Sequence, residues 1–384
     1  MSNKTILVLG GGLGGIMAAG SLRRACAPEH RVVVIERSAT FALRMANLWL
    51  MTGERQRPEE GERDLSHLAE HGIEWVQAEI ESIDPVARAV QTSAGRLEGD
   101  YLVIALGADR HPQAVPGFAE AALDLYEAAG ALRIRQALER FSGGRVVVLV
   151  ARTPFSCPSA PYEAAFLVDA LLRRRGVRQG SEIAVYTPED LPMPVAGPAV
   201  GAALVQMLEK KGIEFHAEQI VMKIDPAARR ARFELEDTTF DLLIGVPPHR
   251  VPQVLRAAKL ADASGWVPVD PATLQTRHAG VYAIGDATAI RLPVGMFLPK
   301  AGVFADEQAR VVAANIAAEI AGKAGTTRFN GHGFCYIEVG DELAAYGAGN
   351  FYGIPVPTVD LEPASSRYHR EKHELERAAQ ALWL

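Results

Sequence analysis

The chain has 384 residues, 48% hydrophobic and 22% charged, with a formal net charge of −6. That size and composition fit a globular protein of two or three domains, and the acidic balance gives no electrostatic reason to expect a nucleic-acid partner. Cysteines at 26, 157 and 335 alone exclude a disulfide scaffold, and no two have metal-ligand spacing, so no metal site is expected.

The opening Met-Ser-Asn-Lys-Thr runs straight into an apolar, strand-like Ile6–Leu9. It lacks the charged leader, apolar core and cleavage site of a secretory signal, so a cytoplasmic location is expected. Segments 5–22 and 191–208 are free of charge over roughly a membrane-helix length. The first holds six glycines and the second three prolines, which argues against spanning helices.

After Ile6–Leu9 comes Gly10-Gly11-Gly12-Leu13-Gly14-Gly15, then a helical composition over 16–25. Gly10, Gly12 and Gly15 have the G-x-G-x-x-G spacing: one for the turn, one for backbone approach to a pyrophosphate, one for packing helix on strand. The helix that follows points its N–H groups and dipole at the anion. A second strand, Arg31–Ile35, ends on Glu36, 36 − 15 = 21 residues beyond the last glycine, where a carboxylate can accept hydrogen bonds from a ribose. Cys26, near the end of the first helix, reads as a packing residue.

Residues 41–53, apolar but interrupted, suit a pocket wall or a buried connection. The charged stretch 54–70 suits a solvated helix or loop. Trp75–Ile80 and Ala89–Thr92 read as strands of a small meander, and Tyr101 to Ala108 as a buried strand ending on Ala105, Gly107 and Ala108. Residues 109–116 read as a linker. A second α/β unit follows, starting with a helix over 123–141 and a strand over 145–150. The loop Phe155-Ser156-Cys157-Pro158-Ser159-Ala160-Pro161-Tyr162-Glu163 then leads into a helix over 164–175. No glycine lies between Val150 and Glu163, so the loop stands where a phosphate-binding turn would be and carries a thiol instead. A strand at 182–186, a proline-rich turn, a helix at 199–211 and a strand at 213–216 continue the unit. Gly280-Val-Tyr-Ala-Ile-Gly285-Asp286 is a strand delivering an aspartate at its carboxyl end, where open α/β sheets bind ligands. The ending, 373–384, is helix-like and short, with apolar residues at its tip.

The ordered set Gly10-x-Gly12-x-x-Gly15 with Glu36, Ala105-Leu-Gly107 and Gly280 to Asp286 resembles the two-dinucleotide-binding-domain flavoproteins. Within them, Cys157-Pro-Ser-Ala-Pro-Tyr-Glu163, Pro299-Lys-Ala-Gly-Val-Phe-Ala305 and Gly333-Phe-Cys335-Tyr resemble the sulfide:quinone oxidoreductase and flavocytochrome c sulfide dehydrogenase family. The resemblance implies an α/β fold of two Rossmann-like domains, the second inserted into the first, plus a small C-terminal region. The expected division is 1–116 and 249–322 for FAD, 117–248 for the insertion with the cysteine loop, and 323–384 for the C-terminal region. It implies FAD held by Gly10, Gly12, Leu13, Gly14, Gly15, Glu36, Ala105, Gly107, Gly285 and Asp286, and a Cys157/Cys335 redox pair beside the flavin. Glu163 would be an acid or base, or a helix-start carboxylate favoured by the dipole. Lys300 would place positive charge near the flavin, or be an ordinary surface lysine.

The implied activity is oxidation of sulfide, or of a small persulfide or thiol, with electrons passing through FAD to a quinone or a cytochrome. Peripheral membrane contact and a homodimer are left open. The chain also departs from the family's pattern. No cysteine lies in 123–141, which puts a three-cysteine relay in doubt, and none lies in 41–53, so FAD should be bound non-covalently. Two other readings stand beside this one. An NAD(P)H dehydrogenase or disulfide reductase of the same superfamily would need a second glycine fingerprint. A flavin-binding redox sensor without turnover would not need both Cys157 and Cys335.

Overall fold

The computed structural model describes residues 3–381. In chain order it runs through β1 (Thr5–Leu9), α1 (Leu13–Ala25), β2 (Arg31–Glu36), α2 (Asn47–Thr52), β3 (Glu74–Gln77) and β4 (Tyr101–Ile104). A second unit follows: β5 (Leu123–Asp124), α3 (Ala128–Arg140), β6 (Gly144–Val150), α4 (Ala160–Arg174), β7 (Ser181–Tyr186), α5 (Pro198–Lys210), β8 (Ile213–His216) and β9 (Leu242–Val246). The chain then returns through β10 (Val281–Ala283) and α6 (Gly302–Ile320). It closes with β11 (His332–Gly340), β12 (Leu343–Asn350), β13 (Thr358–Ser365) and α7 (Ser366–Ala381).

Two parallel sheets carry the fold. The first has the order β10-β4-β1-β2-β3, and the second β5-β9-β6-β7-β8. Their central strands are unbroken apolar runs because both faces are covered: Ile6, Val8 and Leu9 in β1 and Val146–Val150 in β6 are fully buried. Helices α1 and α6 pack together on one face of the first sheet. The second unit leaves and re-enters the first through a two-stranded ribbon, Asp109–Arg110 against His249–Arg250. The α/β fold with one Rossmann-like unit inserted into another is therefore as the sequence implied. A third, antiparallel sheet, β11-β12-β13, lays β11 against α4, and α7 crosses it.

Some local expectations are corrected. Residues 74–77 do not join the meander; they form the parallel edge of the first sheet, and the meander is Ile80–Asp84, Ala89–Thr92 and Gly95–Glu98. The stretch 123–141 is not one helix: Leu123 and Asp124 pair with β9, and the helix starts only at Ala128. Tertiary pairing overrides the local helical composition there. The 109–116 stretch is more than a linker, since its first two residues are the ribbon. In 54–70, Leu65 and Leu68 are buried, so that segment is only partly solvated. The C-terminal helix begins at Ser366, earlier than the sequence suggested, and the apolar tip expected at 382–384 lies outside the described residues, as do Met1 and Ser2. Among the described residues no helix is long and apolar enough to cross a membrane.

Candidate active site

The turn between β1 and α1 is shaped by what its glycines exclude. Gly10 has φ +104°, and a Cβ there would stand 2.6 Å from the Ala105 carbonyl oxygen. At Gly15 a Cβ would fall 1.8 Å from the Gly10 oxygen, so only glycine lets α1 start this close to the turn. At Gly12 a Cβ would meet nothing within 4 Å, which leaves its backbone open to the cavity beside it. One Glu36 oxygen accepts the Gly11 N–H at 2.8 Å and the other the Ser38 N–H at 2.9 Å, which fixes the carboxylate at the end of β2.

This turn opens on a cavity of about 1250 Å³, large beside the roughly 300–1,000 Å³ of ordinary ligand pockets. It receives Gly10, Gly12, Leu13, Gly14, Glu36, Ala105, Gly107, Gly285, Asp286 and Lys300, together with Cys157, Glu163 and Cys335. Gly15 lies behind the turn and acts through packing. An extended dinucleotide fits these features: an open N–H-bearing helix start, a carboxylate one strand over, and a long cleft between the units.

The cysteine loop forms one wall. Cys157 takes φ +50°, unusual for a residue with a side chain, and is held there by three backbone hydrogen bonds. Its N–H donates to the Lys300 carbonyl at 2.6 Å, and its carbonyl accepts from Ala160 N–H at 2.9 Å and from the Tyr126 hydroxyl at 3.3 Å. Tyr126 also donates to the Ser156 carbonyl, while the Ser156 hydroxyl donates to Asp286. The loop of the second unit is thus tied to the strand ends of the first.

Cys157 and Cys335, 178 residues apart in sequence (335 − 157), converge on one hydroxyl. Ser159 Oγ lies 3.7 Å from Cys157 Sγ and 3.3 Å from Cys335 Sγ, and donates to Glu163 Oε2 at 3.0 Å. Both thiols are free. Burial, followed by the charges of Glu163 and of the other cysteine, pushes the Cys157 thiol up to about 12; burial and Glu163 push Cys335 up to about 11. Lys372 and the Ser159 hydroxyl pull the other way on both.

Glu163 sits in the first turn of α4, where the helix dipole favours a carboxylate, and is only 1% exposed, so both an acid–base role and a helix-start role stay open to it. Its Oε1 accepts the Glu338 N–H of β11 at 2.9 Å and the Lys372 ammonium of α7. Burial opposes the Lys372 charge, but Glu163 and Glu338 outweigh it and hold the ammonium's pKa above the ordinary lysine value.

Lys300 is neither on the surface nor free to act as an isolated charge. Its ammonium donates to the carbonyls of Asp286 and Thr288 and lies 3.4 Å from the centroid of the Trp266 ring. Burial brings it down to about 8, against the pull of Asp286. Cys26 caps α1 and is packed in the core.

Sequence reasoning passed over Arg44, Tyr126, Ser159, Glu338 and Lys372. Arg44 lines the cavity, its pKa lowered by burial and by Arg110 despite Asp286, Asp109 and Asp124 nearby. Only Ser159 and the 41–53 segment lay inside stretches already singled out; the others have partners far away in sequence and gave no local signal.

The model of the pyridine nucleotide-disulphide oxidoreductase family matches residues 4–309. The chain is 27% identical over 372 residues to the sulfide-quinone reductase of Aquifex aeolicus (strain VF5), covering 92% of this chain and 84% of that protein. It is 26% identical over 309 residues to the mitochondrial sulfide:quinone oxidoreductase of Mus musculus, covering 74% of this chain but 65% of the mouse protein, just under two thirds. The X-ray structure of the sulfide:quinone oxidoreductase from Aquifex aeolicus superposes with a TM-score of 0.89 at 25% identity, over 99% of this chain and 92% of that one.

Proposed function

This chain belongs to the pyridine nucleotide-disulphide oxidoreductase family and is an FAD-dependent oxidoreductase, and from that premise we propose that it oxidises sulfide through Cys157 and Cys335 and passes the electrons to a quinone. The observation that carries the reading is the convergence of both thiols and Glu163 on the Ser159 hydroxyl, on the wall of the cavity that the glycine turn opens into.

FAD supplies the two-electron acceptor. The residues supply the rest. Hydrosulfide opens a sulfur bridge between Cys157 and Cys335 by exchange, which leaves a persulfide on one sulfur and a thiolate on the other. Because burial pushes both thiols up to about 12 and about 11, either sulfur picks up a proton readily at neutral pH and must lose it again to act as a nucleophile. Glu163, reached through Ser159, is placed to take that proton, and Lys372 compensates its charge. The glycine turn would hold the pyrophosphate of FAD, Glu36 its ribose, and Asp286 and Gly285 the middle of the molecule. No cysteine lies in 41–53, so the binding is non-covalent.

A quinone is favoured as acceptor because the relatives bear that activity in their names and because Phe334, Tyr336, Leu375, Ala378 and Ala379 line the α7 end of the cavity, a largely apolar surface suited to a quinone ring. Peripheral contact with a membrane would follow from that acceptor. Anaerobic titration of the purified flavoprotein tests the reading: sulfide should bleach the flavin and a short-chain quinone should restore it. Bleaching by NADH as fast as by sulfide would instead place the chain in the pyridine-nucleotide branch. Restoration by cytochrome c but not by quinone would change the acceptor alone.

A further inference from the structure

The charges behind the thiols form a line that does not stop at Glu163. Its Oε1 receives Lys372; the Lys372 ammonium is 3.8 Å from Glu338 Oε1; Glu338 Oε2 lies 3.0 Å from His369 Nδ1; and His369 Nε2 lies 3.4 Å from Glu54 Oε1. The side chains of Glu163, Lys372 and Glu338 are 1%, 4% and 2% exposed, whereas that of Glu54 is 38% exposed. With Ser159 at the sulfur end, no link from Cys335 Sγ to Glu54 exceeds 3.8 Å. Well-packed apolar residues could replace such a buried array at little or no cost in stability, so stability alone does not explain it.

We propose that Ser159, Glu163, Lys372, Glu338 and His369 form a proton path from the Cys157/Cys335 pair to solvent, with Glu54 at its mouth. This rests on the sulfide chemistry proposed above. Oxidation of hydrosulfide to the zero-valent level releases two electrons and one proton at the sulfurs, and two-electron reduction of the flavin takes up one proton, so the step releases no net proton; what the line supplies is exchange with solvent while the sulfurs gain and lose protons. The thiol proton passes over the Ser159 hydroxyl to Glu163. Lys372 gives a proton to Glu338 and recovers one from Glu163. His369 gives up its Nε2 proton at Glu54, and only when its remaining proton has moved from Nδ1 to Nε2, by tautomer exchange or a turn of the ring, does Nδ1 take one from Glu338. One proton crosses the line, and each residue returns to its starting state.

The charge states suit this. Hydrogen bonds to Glu338 and Glu54 bring His369 up to about 10, so it rests as a cation with a proton on each nitrogen. The groups that face the line from packed elements are Trp49 of α2, which donates to Glu338 at 3.4 Å, Arg55 paired with Glu376, and His373, stacked on Trp49 and 2.6 Å from Glu54. Because His373 leans on the same carboxylate, the mouth has two imidazoles serving one acceptor.

The test uses the FAD-loaded protein with its thiols reduced, and follows the infrared S–H stretch after mixing into D2O, which needs no sulfide turnover. His369→Ala and Glu338→Gln should slow S–H to S–D exchange by about tenfold or more, the scale on which a lost proton-transfer group acts. Added imidazole should restore the His369→Ala rate, which a merely structural role would not allow. FAD content and far-UV circular dichroism serve as folding controls, and Glu338→Gln keeps shape if His369→Ala does not fold. If both variants exchange at the wild-type rate, protons reach the thiols through the cavity and the path is refuted. If exchange slows as stated while sulfide fails to bleach the wild-type flavin, the path stands and the sulfide reading falls.

Discussion

Replacing Lys372 by methionine removes the one ammonium paired with Glu163 among the described residues and leaves a carboxylate that is 1% exposed, with the Ser159 hydroxyl and the Glu338 N–H as its remaining donors there. Removing one partner of a buried pair costs about 3–5 kcal/mol, because the remaining charge stays desolvated. Glu338 keeps His369 and Trp49, so nearly all of the loss should arise at Glu163. With a urea dependence of about 3 kcal/mol per M, a loss of about 4 kcal/mol shifts the unfolding midpoint down by about 1.3 M. The assay is equilibrium unfolding in urea, read by flavin and tryptophan fluorescence. The double variant Glu163→Gln/Lys372→Met has no bare carboxylate and should recover most of the shift. A shift below about a quarter of the stated size, or a double variant no better than the single, would refute the reasoning.

Four further outcomes are expected. Gly15→Ala, whose Cβ would fall 1.8 Å from the Gly10 oxygen, should lose stability and FAD together, whereas Gly12→Ala, with nothing within 4 Å, should fold normally but bind FAD more weakly in equilibrium ultrafiltration. Acid precipitation should release the flavin into the supernatant, since 41–53 holds no cysteine to tether it. NADH should reduce the flavin much more slowly than sulfide in stopped-flow mixing, because the loop from Val150 to Glu163 has no glycine and three prolines, which lack an N–H. The His369–Glu54 contacts should contribute most to thermal stability between pH 4.5 and 6.5. His369 is raised from 6.5 to about 10, so its contribution is full below 6.5 and is lost as pH climbs toward 10; Glu54 is lowered from 4.5 to about 2, so its contribution is full above 4.5 and is lost as pH falls toward 2. His369→Gln should flatten the alkaline limb of the melting-temperature profile.

The features that could be read directly were those whose meaning is local. Gly10, Gly12, Gly15 and Glu36 depend on backbone geometry within one β-α-β unit, so spacing alone points to them. The apolar runs of β1, β2 and β6 are likewise plain because both their faces are buried. Cys157 was marked locally by the glycine-free loop that carries it, but Cys335 and the pairing of the two came only from family resemblance, and it took the fold to bring them to one hydroxyl. Lys372 was invisible because its partner Glu163 is 209 residues away, and nothing near a lysine on a charged helix says which face will be buried. Glu338 hides in the same way, its backbone reaching Glu163 across 175 residues. The misread elements, β3 and β5, are short strands whose identity comes from neighbours in the sheet. Lys300 lines the cavity beside the glycine turn, but its charge is committed to two carbonyls and an indole that the sequence could not foresee.

The most direct test of the account is a single turnover. The oxidised, FAD-loaded protein is mixed anaerobically with sulfide, and the flavin absorbance is followed in the wild type, Cys157→Ser, Cys335→Ser and Cys26→Ser. The account predicts rapid two-electron bleaching in the wild type and in Cys26→Ser, and none in the other two, all four retaining FAD. Bleaching at the wild-type rate in either Cys157→Ser or Cys335→Ser would contradict it.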